Sequence, residues 1–62
     1  MKQAGSVKFV DADSGGEAFV SVRYDETQVA LAVSLMQDGD IEVFMPKAEA
    51  KILMEILRGA VS

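Results

Sequence analysis

Residues 29–36 read "VALAVSLM", and their alternation limits the fold more than any other feature. Val29, Leu31, Val33 and Leu35 fall on one side of an extended chain, and Ala30, Ala32, Ser34 and Met36 on the other. A period of two belongs to a β-strand, whose successive side chains point to opposite sheet faces. Residues 18–24, "AFVSVRY", repeat the pattern, with Ala18, Val20, Val22 and Tyr24 opposite Phe19, Ser21 and Arg23. Residues 41–45, "IEVFM", set Ile41, Val43 and Met45 against Glu42 and Phe44. Residues 7–10, "VKFV", are short and rich in strand formers.

The segment "QDGD" separates the last two strands, and Asp-Gly is a strong hairpin signal. A two-residue Asp38-Gly39 turn would pair Leu35 with Glu42 and mix the faces. A three-residue loop, Gln37-Asp38-Gly39, with Gly39 left-handed, pairs Leu35 with Ile41, Val33 with Val43 and Leu31 with Met45. That register gathers the large apolar residues on one face, so burial favours it.

After Pro46 the period changes. Proline suits the first position of a helix, where its missing N–H would be unpaired anyway, which leaves Met45 as a poor N-cap. Glu49 and Arg58 complement the two ends of the helix dipole, and Gly59 is placed to loosen or end the helix. The pattern predicts an α+β fold: an antiparallel β-meander of three to four strands followed by one C-terminal helix packed on one sheet face (β-β-β-β-α). The receiving face is Val20, Val22, Leu31, Val33, Leu35 and Val43. Residues 1–62 form a single small domain, with 1–6 expected to be disordered and the last two or three residues frayed.

The helix is more apolar than one sheet face requires. Ile52, Ile56, Ala60, Leu53, Leu57, Ala50, Val61 and Met54 fill an arc of roughly 200°, against the ~100° or somewhat more of an ordinary surface helix. With Ile52, Ile56 and Leu53 turned to the sheet, Ala50, Met54, Leu57 and Val61 remain as a contiguous apolar flank. Such a flank reads as a subunit interface; tolerated exposure and a groove for another protein's helix are the alternatives. The outer sheet face offers a weaker second candidate in Phe19, Met36 and Phe44, set over a floor of alanines.

Size makes association more than an option. A 62-residue chain buries only roughly 60% of its unfolded surface and is marginal alone. Small proteins compensate with disulfides, a metal or oligomerisation. There is no Cys and no His, which removes disulfides, thiolate zinc sites and the commonest metal ligand and general base. A homo-oligomer, with a dimer favoured, is the remaining route. No cofactor is implied.

The stretch "VDADSGGEAF", residues 10–19, invites comparison with a calcium loop. An EF-hand needs oxygen ligands at its first, third and fifth positions, glycine at the sixth and a bidentate glutamate at the twelfth. Counted from Asp11, the third is Asp13 and the sixth Gly16, but the fifth is Gly15 and the twelfth Val22. The segment reads as a turn between strands, a role that Asp, Ser and Gly all serve. In a meander this turn and the Gln37–Asp40 turn share one end of the sheet, so Asp11, Asp13, Glu17, Asp38 and Asp40 form an acidic rim. The rim would attract a hard cation weakly, face a basic partner or simply be solvated.

Other chemistry is thinly represented. Ser6, Ser14, Ser21, Ser34 and Ser62 have no histidine to activate them, and "SGGEAF" leads into a strand, whereas phosphate cradles open helices. No enzyme activity is expected. Net charge is −4, and residues 1–45 carry Lys2, Lys8 and Arg23 against eight acidic residues, a balance that argues against nucleic acid. No apolar run approaches the ~20 residues of a membrane span, and the polar start lacks a signal-peptide pattern, so a cytoplasmic protein is expected.

Four strands, then "IEVFM" with Pro46 opening one C-terminal helix, resemble the layout of the PC4-like single-stranded-DNA-binding dimers. The resemblance covers residues 7–60 and is one of layout, without a specific motif. That family is expected to bind through basic and aromatic strand residues; here the strands offer Lys8, Arg23, Phe9, Phe19, Tyr24 and Phe44, surrounded by acidic loops, and no binding site is carried over. Two functions follow: a small non-catalytic interaction, regulatory or accessory protein, and as alternative a single-stranded nucleic-acid binder.

Overall fold

The computed structural model describes residues 1–62. Four strands form one antiparallel sheet in chain order: β1 (Lys2–Val10), β2 (Glu17–Tyr24), β3 (Gln28–Leu35) and β4 (Gly39–Pro46). One helix, α1 (Lys47–Val61), follows directly. The β-β-β-β-α layout is the one the alternation dictates.

Pairing aligns the large residues of all four strands. Val20 faces Val7 on β1 and Val33 on β3, and Val33 faces Ile41 on β4. Val22, Leu31 and Val43 form the next row, and Tyr24, Val29 and Met45 the one after. This is the apolar face. The outer face carries Lys8, Phe19, Ser21, Arg23, Ala30, Ala32, Ser34, Glu42 and Phe44.

Three details differ from the sequence expectation. The β3–β4 register is displaced by two residues: Leu35 pairs with Gly39, Val33 with Ile41 and Leu31 with Val43, so the loop is Met36–Asp38. A shift of two preserves the faces, so burial does not separate the two registers; the turn does. The Asp38 N–H donates to the Leu35 carbonyl at 2.9 Å, and Gly39 takes the left-handed conformation at φ 85°. Second, residues 2–6, expected to be disordered, are the first half of β1 and pair with β2 out to Tyr24. Their pairing is made by backbone groups along the β2 edge, which polar side chains do not prevent. Ala4 is the extra residue of a bulge there, and the Gln3 side-chain amide donates to the Gly5 carbonyl at 2.9 Å across it.

Third, Pro46 is the last residue of β4 and the N-cap of α1, with extended backbone (φ −61°, ψ 154°). It cannot offer a capping side chain, and none is present. Its ring still fixes φ at the strand-to-helix joint, which makes the change of direction abrupt. Gly59 does not end the helix, which continues to Val61.

The body of the helix packs against β3 and β4, the strands nearest its origin, and only its first residue, Lys47, reaches Tyr24 on β2. Half-burial on α1 is confined to Ala50 and Leu53, and none of its residues is fully buried. Across the whole chain only Ala18 (6% exposed) and Ala30 (1%) are buried.

Candidate interaction surface

Of the interface candidates read from the sequence, Met54, Leu57 and Val61 are exposed, as are Phe19, Met36 and Phe44. Ala50 is half-buried beside Leu53 instead. Ile52 and Ile56, assigned by the sequence to the packed side, are exposed. The reason is rotational: Leu53 and Ala50 point at the sheet, which leaves apolar side chains out on both flanks of the contact.

The outer-face candidates do not form one patch. Phe19 and Met36 line a shallow depression of about 190 Å³ with Glu17, Ala18 and Ser34. Phe44 lies opposite Ala30, four residues along β3 from the Ser34 that faces Phe19, a distance of ~13 Å at strand rise. Between them the Arg23 guanidinium on β2 crosses β3 to the Glu42 carboxylate on β4, Nη2 to Oε2 at 2.6 Å. Only small residues on the middle strand let the two side chains meet, and Ala30 is buried beneath them. Lys8 sits 3.6 Å from Glu17.

The apolar face is different in kind. From Val7 and Phe9 on β1 to Ile41, Val43 and Met45 on β4 it carries no charged side chain short of its Lys2–Tyr24 end. Val33 at its centre is 42% exposed, Val43 45% and Ile41 66%. The sequence expectation places this face, Val20, Val22, Leu31, Val33, Leu35 and Val43, beneath the helix. Instead α1 packs along β3 and β4 and leaves Val33 and Val43 exposed, which the length of one helix against four strands was the signal to foresee.

The acidic rim is built as turns. The Asp11 carboxylate accepts from the Ser14 N–H at 2.9 Å, Gly15 is left-handed at φ 75°, and the Asp11 N–H donates to the Gly16 carbonyl at 2.8 Å. The Ser14 hydroxyl and then its N–H hold the Asp11 pKa below its ordinary value. No three of the carboxylates converge as a metal site would require. Asp25 closes the β2–β3 turn likewise, its carboxylate accepting from Thr27 and Gln28 N–H groups at 2.9 Å, and these bonds lower its pKa.

The larger depression, about 450 Å³ and open, lies at the other end of the sheet, lined by Met1, Lys2, Tyr24, Asp25, Glu26 and Lys47. The Lys47 ammonium sits 5.8 Å from the Tyr24 ring centre, a cation–π contact at a wet site. No helix is long and apolar enough to cross a membrane.

The fold therefore defines an α+β protein with a four-stranded meander and one C-terminal helix. No protein-family model, curated protein or solved structure matches the chain.

Proposed function

We propose that this chain is a small non-catalytic interaction or accessory protein that acts as a homo-oligomer, a dimer first. The observation that carries the reading is burial: two alanines are its only buried residues, while apolar side chains on the sheet and on α1 stay exposed. Contiguous apolar surface on this scale is characteristic of an interaction site. The non-catalytic part is supported by depressions that are open and shallow, and by the engagement of Asp11 and Asp25 in turns and of Lys8 with Glu17 and Arg23 with Glu42. A cytoplasmic setting goes with the same proposal, and cell fractionation tests it.

The alternative, single-stranded nucleic-acid binding, draws less support. The two strand cations that the PC4-like layout would use, Lys8 and Arg23, both lie beside carboxylates. A labelled-oligonucleotide titration at low salt separates the readings: binding that falls steeply with added salt would favour the alternative.

The deciding experiment is molar mass by light scattering after size exclusion, over about a hundredfold range of concentration. A mass of two or more subunits is expected. A folded monomer throughout would overturn the proposal.

A further inference from the structure

We propose that a second copy of this chain covers the apolar sheet face and the exposed flanks of α1 together, each protomer's helix lying on its partner's sheet about a two-fold axis. This rests on the homo-oligomer reading and names the surface that reading uses.

Area is the first argument. The chain exposes 4833 Å². A compact chain of 6.7 kDa exposes ~3,900 Å² by the scaling of surface with mass, so the excess is ~900 Å². Each partner in a stable interface of standard size contributes ~800 Å². The surplus is close to one partner's share of a standard interface.

Charge selects the surface. Each copy carries a net charge of −4, so two copies repel unless they meet where charge is absent. The outer face would have to desolvate Lys8, Glu17, Arg23 and Glu42, which is costly. The row Val7, Val20, Val33 and Ile41 buries none.

Geometry selects the second copy. The chain has two partly uncovered apolar surfaces, a sheet face and a helix, and the body of its own helix packs only along β3 and β4. The helix has 15 residues, ~22 Å at helical rise, and the strands beneath have 8, ~26 Å, so one spans the other. In a two-fold dimer the same contact occurs twice, and both surfaces are covered by one operation.

The test is an isotope-filtered nuclear Overhauser experiment on the full-length chain, mixing labelled and unlabelled protein. Contacts between subunits are expected from Ile52, Ile56 or Leu57 methyls to those of Val33, Ile41 and Val43. Intermolecular contacts confined to Phe19, Met36 and Phe44, or running only from helix to helix, would overturn this surface while leaving the oligomer intact. A monomeric mass would overturn the oligomer reading itself. As a second measurement, Ile41→Lys, which puts a charge on the proposed contact, is expected to weaken the dimer by at least about a hundredfold, and Phe19→Lys to leave it within about threefold. The reverse order would overturn the proposal.

Discussion

Arg23 on β2 and Glu42 on β4 meet at 2.6 Å across β3, over Ala30, a residue only 1% exposed. The two charged strands are not neighbours, so the contact exists only because the strand between them is low. The alanines of "VALAVSLM" thus have a structural consequence on the outer face equal to that of the large residues on the other. The bridge also divides the outer face, separating Phe44 from Phe19 and Met36.

Two substitutions separate the bridge from its floor. Ala30→Leu forces a larger side chain beneath the ion pair and is expected to cost ~1–3 kcal/mol, as overpacking does. Glu42→Gln removes a partly exposed charge pair and is expected to cost under ~1 kcal/mol. Urea unfolding of both variants measures the difference, and a larger loss for Glu42→Gln would mean that the charge, not the packing, matters.

The two hairpins that close the acidic end both depend on left-handed glycine. Gly15 has φ 75° and Gly39 φ 85°, and neither has a neighbour that an added Cβ would strike. Conformation alone should therefore set the effect of alanine at either site, a loss of ~1–2 kcal/mol. Thermal melts of Gly15→Ala and Gly39→Ala check this; unchanged midpoints would show that the turns adapt without strain.

Gly59 lies inside α1 with open space around it. Gly59→Ala is expected to stabilise the protein by up to ~1 kcal/mol through helix propensity, because no contact is gained or lost. A rise in helical circular dichroism together with the melting midpoint would confirm the route. A fall would reveal that another chain packs closely there.

Acid sensitivity should trace to two turn carboxylates. Asp11, through Ser14, and Asp25, through Thr27 and Gln28, accept hydrogen bonds that favour the charged form and lower both pKa values from 3.8. The unfolded chain then binds more protons than the folded one near that value. The stabilisation is complete above it and is lost as pH falls through the lower folded values. Melting midpoints between pH 6 and pH 2, on the order of the full carboxylate range, should fall least in Asp25→Asn, which retains an acceptor but does not titrate. An identical acid slope in wild type and variant would show that Asp25 makes no contribution.

The strands from residue 7 onward, the helix position and the division of residues between faces were legible in the sequence. They follow from local periodicities of two and 3.6 residues, which each segment carries in its own side chains. The helix's share of the apolar excess was legible too, since one short helix has more apolar arc than one sheet face can use; the sheet's share was not, because that face reads as the helix's receiving surface. Tertiary structure decided what periodicity leaves degenerate. The β3–β4 register moved by two residues because a shift of two keeps every face, and the Leu35–Asp38 hydrogen bond with left-handed Gly39 then selects the pairing. β1 grew back to Lys2 because backbone pairing along β2 does not depend on apolar alternation. The Arg23–Glu42 contact joins residues nineteen apart through the height of a third strand, which no local pattern encodes. The rotation of α1, with Leu53 and Ala50 inward and Ile52 and Ile56 outward, was left open by the sequence, because its apolar arc is wide enough to pack in several orientations.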